Sequence, residues 1–127
     1  MVSDADLQRL SIRTGRHLLA AGYRLVTAES CTAGWIAKVL TDIPGSSDWF
    51  DCGYVCYSNE SKQRDLGVSA ATLSQLGAVS EPTVREMARG AIARTGAPLA
   101  GAACAPASAS AAPSAKRGVG LWCRTSQ

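Results

Sequence analysis

A short strand, a turn of small polar residues and a helix are predicted in succession between residues 23 and 41. The segment Tyr23–Ala28 is rich in β-favouring side chains, and a helical pattern of apolar residues runs from Trp35 to Thr41. The turn between them, residues 29–34, therefore lies at the carboxyl end of a strand and before a helix N-terminus. Open α/β sheets place their binding and catalytic residues at such junctions. This succession predicts an α/β fold with a site at the turn.

The rest of the first 96 residues also divides into elements with clear starts and stops. A second strand is predicted at Gly53–Tyr57. Helices are predicted at Asp4–Ala21, Ser61–Leu66, Ser69–Leu76 and Ser80–Arg94, each with a serine or aspartate near its start and, for the first three, a glycine directly after it. Such local agreement is typical of a foldable sequence.

Composition indicates one globular domain and excludes several classes of protein. The chain has 127 residues, 46% of them hydrophobic, so residues 1–127 are predicted to form a single domain. No run of about 18 apolar residues is present, which argues against a membrane span. The net charge of +3, with scattered arginines, gives no nucleic-acid footprint. The N-terminus lacks the pattern of a secretory signal, and we expect a cytoplasmic protein.

Residues 97–117 differ in character from the segments before them. Ten of the nineteen residues from Ala97 to Ala115 are alanine, interrupted by proline, serine and glycine. This low-complexity composition predicts a loop or disorder and little strand core. A brief strand is predicted at Gly118–Cys123, within a residual segment 118–127.

The spacing of the cysteines and of the single histidine does not predict a metal site. The five cysteines, an odd number in a chain without a signal, indicate reduced thiols. Cys52 and Cys56 are four residues apart, but zinc would need two further ligands at similar spacing. His17 lies in a predicted helix far from both. We expect no metal.

A few residues have side chains that could act in catalysis. Ser30 or Cys31 at the strand-to-helix turn could be a nucleophile, because helix N-terminal N–H groups stabilise an oxyanion or a thiolate. Lys62 could serve as the base if burial removed its proton near neutral pH. Spacing alone favours a plainer alternative, in which Ser30 and Thr32 cap the helix, Cys31 packs in the core, and Lys62 is a solvated surface charge.

Several motifs in order resemble one known family. The run Thr27–Gly34, TAESCTAG, is similar to the TAESCTGG signature of the CinA C-terminal domain family, the PncC-type nicotinamide-nucleotide amidases. The similarity covers residues from about 7 to 96. Further matching runs are residues 40–47 (LTDIPGSS), 57–62 (YSNESK), 66–68 (LGV), 77–82 (GAVSEP) and 87–91 (MARGA).

The resemblance implies a fold and an activity. The fold would be a three-layer α/β/α sandwich, incomplete at its C-terminal end. The reaction would be hydrolysis of nicotinamide mononucleotide to nicotinate mononucleotide and ammonia, with no metal or organic cofactor. The family's serine, tyrosine and lysine correspond to Ser30, Tyr57 and Lys62. We assign Ser30 as the nucleophile, Lys62 as its base, and Tyr57 as the residue that orients the lysine or the amide.

Substrate binding is assigned to two groups of residues, and the resemblance leaves homo-oligomerisation open. Cys31 and Thr32 belong to the turn itself. Gly45, Ser46 and Ser47 are a candidate cradle for the 5′-phosphate, although a plain turn with a helix cap is an equal alternative. Ala33 stands where the family has glycine, and it would be strained at a positive φ.

The larger departure from the family follows Gly96. The family continues with a Thr/Ser-Gly-Ile-Ala-Gly-Pro loop that supplies an active-site hydroxyl, and here residues 99–106 read LAGAACAP. The family's closing strands and C-terminal helix, with its arginine, have no counterpart. We interpret this as a frameshift or degenerated segment from about residue 100, which resequencing of the coding region would test. We therefore predict weak or absent turnover. The alternatives are an inactive remnant that binds nucleotide or a partner, and a hydrolase that uses Cys31.

Overall fold

The computed structural model describes residues 2–104 and, for the backbone only, residues 119–124. These residues form five α-helices and four strands, with three consecutive helices between the second and third strands. The helices are α1 (Asp4–Ala21), α2 (Trp35–Thr41), α3 (Asn59–Leu66), α4 (Ala70–Leu76) and α5 (Glu81–Thr95). The strands are β1 (Leu25–Glu29), β2 (Phe50–Val55), β3 (Leu99–Cys104) and β4 (Val119–Arg124). None of the helices in the described residues is long and apolar enough to cross a membrane.

The four strands form one sheet in the order β2-β1-β3-β4. β1 lies in the interior of the sheet and pairs in parallel with both β2 and β3. β4 adds to the far side of β3 in the antiparallel sense. The carboxyl ends of the three parallel strands therefore meet at one edge of the sheet, and the residues that follow β1 and β2 are brought together there.

β3 corrects the prediction that residues 97–115 contain no packed strand. Residues 99–104 form a strand whose alternate side chains, Ala100, Ala102 and Cys104, are buried under α5. Small side chains suit this position because they let the helix pack closely on the sheet. Pairing on both sides satisfies the backbone of β3, so its low intrinsic strand propensity does not decide the outcome. Residues 105–118 lie outside the described residues.

Helices cover both faces of the sheet, which confirms the three-layer α/β/α sandwich. Val26 and Ala28 of β1 point to one face and join a core with α3, α4 and α5, including Met87 and Leu66. Leu25 points to the other face, where it packs with residues of α1, α2 and the loop before β2. The alternation follows from the two-residue period of a strand.

The predicted boundaries of α1, α4 and α5 agree with the structure to within one residue, whereas α3 begins two residues earlier than predicted and the strand boundaries shift. Ser3, Ser58, Ser69 and Ser80 are the N-caps of α1, α3, α4 and α5, and each side chain accepts a backbone N–H hydrogen bond. β1 begins two residues later than predicted and β2 begins three residues earlier. Partner strands set these limits: the Leu25 N–H donates to the Trp49 carbonyl oxygen at 2.8 Å, next to the start of β2.

Two glycines permit close contacts between layers. A Cβ atom on Gly15 of α1 would lie 2.7–2.9 Å from the indole ring of Trp49, which is 2% exposed. A Cβ atom on Gly90 of α5 would collide with the carbonyl oxygen of Leu66 at the end of α3. Each glycine therefore sets how closely its helix approaches a neighbouring element.

Candidate active site

Ser30 follows β1 directly and lies between the ends of the two neighbouring parallel strands. Its N–H donates to the Ala103 carbonyl oxygen at 3.0 Å, and the Cys56 N–H donates to the Glu29 carbonyl oxygen at 2.9 Å. The side chains of β1 alternate between the two faces, and continuing that alternation places Ser30 on the face of α3 and α5. Ser30 is only 4% exposed. The strand pairing therefore holds this hydroxyl at the carboxyl edge of the sheet.

Lys62 projects from α3 and is almost completely buried, with 2% exposure. Its Nζ donates a 2.7 Å hydrogen bond to the carbonyl oxygen of Tyr57. Within residues 2–104 it forms no salt bridge with a carboxylate. Burial lowers the pKa of Lys62, because water no longer solvates the ammonium. The alternative of a solvated surface lysine is wrong.

Hydrogen bonds locate Lys62 at the same edge as Ser30. Its Nζ donates to the carbonyl oxygen of Tyr57, which directly follows Cys56. Cys31 follows Ser30 in sequence, and the backbone hydrogen bonds place Cys56 and Cys104 beside Ser30 on either side. The lysine and the serine therefore share one end of the sheet.

Tyr57 meets Lys62 through its backbone. The phenol-bearing side chain is 63% exposed, and the carbonyl oxygen is the atom that accepts from Nζ. Tyr57 lies between the end of β2 and the start of α3, so this carbonyl is positioned by both elements. The contact shows how a residue at this place can orient the lysine.

Sequence reasoning missed Glu29. Its carboxylate is completely buried and accepts three hydrogen bonds: from Thr32 Oγ1 at 2.7 Å, from the Ile36 N–H at 2.9 Å and from the Ala37 N–H at 3.0 Å. It thus satisfies the first turn of α2 and complements the positive end of that helix. The available signal was an acidic residue at the end of a buried strand just before a helix.

The turn itself differs from the plain capping alternative. The N-cap of α2 is Gly34, which has no side chain to accept a hydrogen bond, so neither Ser30 nor Thr32 caps the helix. Ala33 has φ 50° and Gly34 has φ 92°, both in the left-handed region. Ala33 is therefore in the conformation that was identified as strained for alanine.

Two backbone donors in this turn have no acceptor among the residues that the structure describes. The N–H groups of Cys31 and Thr32 make no hydrogen bond within the described part of the chain, whereas those of Ala33 and Trp35 are paired. Cys31 is exposed and Thr32 is half-buried. The two free N–H groups lie directly after Ser30, where a developing oxyanion would need donors.

The structure does not bring Gly45, Ser46 and Ser47 to this edge. The loop lies just before β2, where the Ser47 carbonyl oxygen accepts from the guanidinium of Arg24 at 3.2 Å. Arg24 precedes β1, so the loop sits at the amino end of the parallel strands, the length of β1 away from Ser30. Within one chain, the proposed phosphate cradle and the turn at Ser30 do not form a single pocket.

The described cysteines are free thiols, as the sequence predicted. Cys31, Cys52, Cys56 and Cys104 form no disulfide. Burial raises the pKa of the Cys56 and Cys104 thiols, which keeps them protonated. No cluster of three or more potential metal ligands occurs among residues 2–104. The side chain of Cys123 lies outside the described residues.

Comparison with known proteins extends the similarity beyond the conserved motifs. The family model for the CinA C-terminal domain matches residues 7–123. The nicotinamide-nucleotide amidohydrolase PncC of Escherichia coli K12 is 56% identical over 91 residues, which are 72% of this chain and 55% of that protein. The PncC of Pseudomonas putida is 50% identical over 91 residues, or 72% of this chain and 57% of that protein. The chain thus spans a little over half the length of these relatives.

Solved structures show the same architecture. A competence/damage inducible protein from Agrobacterium tumefaciens superposes with a TM-score of 0.80 at 35% identity, covering 96% of this chain and 80% of that one. A CinA superfamily protein from Escherichia coli superposes with a TM-score of 0.80 at 27% identity, covering 100% of this chain and 82% of that one. The family model, the aligned relatives and the shared fold agree: the chain belongs to the CinA C-terminal domain family.

Proposed function

We propose that the chain is a nicotinamide-nucleotide amidase, which converts nicotinamide mononucleotide and water into nicotinate mononucleotide and ammonia. The observation that carries the proposal is the buried Lys62, whose lowered pKa makes the free amine accessible at a pH where a surface lysine stays charged. A neutral amine next to a serine is what amide hydrolysis by a serine–lysine pair requires. The names of the PncC relatives supply the substrate.

In the proposed reaction, Ser30 Oγ attacks the carboxamide carbon while the neutral Lys62 amine accepts the hydroxyl proton. The carbonyl oxygen becomes an oxyanion, for which the free N–H groups of Cys31 and Thr32 are suitable donors. Collapse of this intermediate breaks the C–N bond, and Lys62 returns the proton to the leaving ammonia. Water then hydrolyses the ester on Ser30, with Lys62 acting again as base.

Tyr57 has a defined part in this scheme. A neutral amine has two N–H donors and one lone pair. If one N–H donates to the Tyr57 carbonyl oxygen, as the 2.7 Å contact allows, the orientation of the amine about its last bond is restricted. The lone pair can then be directed at the hydroxyl of Ser30 rather than at solvent. The proposal therefore assigns orientation of Lys62 to the Tyr57 backbone.

Release of ammonia from nicotinamide mononucleotide by the purified chain tests the proposal. Wild type and Ser30→Ala are compared at equal concentration, with Ser74→Ala as the matched control because Ser74 lies on the exposed surface of α4. We expect Ser74→Ala to match wild type, and Ser30→Ala to fall by at least about 10³-fold. Equal ammonia release by wild type and Ser30→Ala would refute the mechanism, and no release by wild type would refute the activity.

The expected turnover is low. An acyl-transfer site loses about 10²–10³ in rate when one donor to the oxyanion is missing, and residues 99–106 replace the Gly-Ile-Ala-Gly-Pro loop that supplies an active-site hydroxyl in the family. We propose a kcat/KM well below the roughly 10⁴ M⁻¹s⁻¹ of an ordinary enzyme. A value within about tenfold of that figure would show that this loop is dispensable.

A further inference from the structure

Glu29 links the end of β1 to the start of α2. Its backbone carbonyl accepts from the Cys56 N–H of the strand-following segment, while its carboxylate accepts from the N–H groups of Ile36 and Ala37 in the first turn of α2. The same carboxylate accepts from Thr32 Oγ1 in the intervening turn. One residue thus ties together the strand, the turn and the helix that surround Ser30.

Burying the Glu29 carboxylate at this position costs free energy of folding, which indicates a role beyond capping α2. The carboxylate is completely buried, and within residues 2–104 no cation lies within salt-bridge distance of it. Its charge is balanced by three dipolar donors and the helix end alone. The helices α1, α3, α4 and α5 are each capped by an exposed or half-buried serine, which serves the same end without burying a carboxylate.

The turn that Glu29 closes would not hold its shape without support. Ala33 occupies the left-handed region, which is unfavourable for a residue with a Cβ atom, and Gly34 follows in the same region. In this conformation the N–H groups of Cys31 and Thr32 have no acceptor among residues 2–104. A fixed bridge from Glu29 to Thr32 and α2 resists relaxation of the turn.

We propose that Glu29 is a positioning residue for the reaction at Ser30, which it assists by holding the turn from Ser30 to Gly34 in the geometry that the reaction uses. This inference rests on the proposed function. Glu29 is not a catalytic residue, because three donors occupy its oxygens and its side chain points to the face of α2, opposite Lys62. Its effect is on the placement of Ser30 Oγ and of the free N–H groups.

Glu29→Gln tests the proposal with little change in shape. The amide oxygen can still accept from Thr32 and Ile36, but the amide nitrogen faces the Ala37 N–H and repels it. We expect kcat to fall by roughly 10–100-fold, as for a misplaced reacting group, with KM within about threefold of wild type. The pH midpoint of kcat/KM should not move, because the proposed base is Lys62, which lies on the other face of the sheet from the Glu29 carboxylate.

Ser69→Ala is the matched control. It removes the N-cap of α4, whose side chain accepts from the Thr72 N–H at 3.0 Å, and Ser69 makes no hydrogen bond to the turn from Ser30 to Gly34 within the described residues. We expect Ser69→Ala to lower the melting temperature about as much as Glu29→Gln does but to leave kcat unchanged. That result would show that the fall in kcat of Glu29→Gln does not come from a general loss of stability. If Glu29→Gln retains wild-type kcat, or if Ser69→Ala loses kcat equally, the proposal is overturned.

Two further measurements test the proposal if Glu29→Gln does not fold or if wild type is inactive. If Glu29→Gln does not fold, Thr32→Val removes only one of the three hydrogen bonds, and we expect a smaller fall in kcat, of about three- to tenfold. If wild type releases no ammonia, the amidase proposal fails, but the rate at which an arylsulfonyl fluoride labels Ser30 still reports the turn. Labelling forms a sulfonate ester at Oγ and releases HF. Slower labelling of Glu29→Gln supports positioning, and equal or undetectable labelling in both proteins refutes it.

Discussion

Lys62 and Tyr57 form a contact between a buried ammonium group and a single backbone carbonyl. The Nζ atom lies 2.7 Å from the Tyr57 carbonyl oxygen, and the lysine is 2% exposed. One neutral acceptor does not replace the hydration that the charge loses on burial, so the contact favours the neutral amine. Burial of Lys62 beside this one carbonyl oxygen therefore lowers the stability of the folded protein at neutral pH, but it suits a lysine that acts as a base.

Lys62→Met should separate stability from activity. Methionine has a similar length, removes the buried charge and leaves only the Tyr57 carbonyl without its donor. We expect the free energy of unfolding at pH 7 to stay within about 1 kcal/mol of wild type or to rise, because the two changes oppose each other. Ammonia release should fall by at least about 10²-fold. A loss of several kcal/mol in urea unfolding would contradict this account of the contact.

The pH dependence of Lys62 has a definite sign. Its folded-state pKa lies below the ordinary value of 10.5, so between the two values the unfolded chain binds more protons than the folded one. Wild type should therefore gain stability relative to Lys62→Met as pH rises through this window, and kcat/KM should rise over its lower part. Urea unfolding of both proteins at several pH values measures the difference. If the stability of wild type relative to Lys62→Met stays constant or falls as pH rises through this window, a lowered pKa is excluded.

Ala33→Gly should stabilise the protein. Ala33 has φ 50°, and a left-handed residue with a Cβ atom costs about 1–2 kcal/mol that glycine avoids. After the added entropy of the unfolded chain is subtracted, we expect a gain of about 0.5–1 kcal/mol in unfolding free energy. Ala20→Gly, in the right-handed helix α1, is the control and should lose about 1 kcal/mol. Losses of equal size in both variants would exclude the strained turn.

Gly15→Ala should destabilise the protein although alanine favours helix. The new Cβ atom would lie 2.7–2.9 Å from the buried indole of Trp49. Overpacking costs about 1–3 kcal/mol, which exceeds the gain of about 1 kcal/mol in helix propensity. The cost should shrink in a Trp49→Phe background, where the smaller ring leaves room. Calorimetric melting of the four proteins in this double-mutant cycle tests the coupling, and strictly additive effects would contradict it.

Thr27→Val should raise stability. The Thr27 hydroxyl is completely buried and has no hydrogen-bond partner in the described part of the chain. Valine has the same shape and removes this unpaired group, so we expect a gain of about 1 kcal/mol. Thr83→Val is the contrasting control, because Thr83 Oγ1 donates to the Gly77 carbonyl oxygen at 2.8 Å and its loss should destabilise. Chemical denaturation of both variants measures the two signs.

The sequence by itself determined the features that depend on neighbours a few residues away. The serine caps of α1, α3, α4 and α5 bond to backbone groups within three residues, so they are visible in the sequence without knowledge of the fold. The turn after β1 was located in the same way, and it carries Ser30. The family motifs added Lys62 and Tyr57 as partners of Ser30, which local patterns did not.

Tertiary structure decided what depends on partners far along the chain. Residues 99–104 form an interior strand because β1, β4 and α5 surround them, although an alanine-rich segment has little propensity for a strand. The hydrogen bonds from the first turn of α2 to Glu29 form only because the fold places the buried end of β1 beside the start of this helix. The loop at Gly45–Ser47 lies at the amino end of the parallel strands, opposite Ser30, because the pairing of β1 with β2 fixes where β2 begins. Hydrogen bonds between residues a few positions apart can be predicted from the local sequence. Burial and strand pairing depend on segments that are distant in the sequence and meet only in the folded chain.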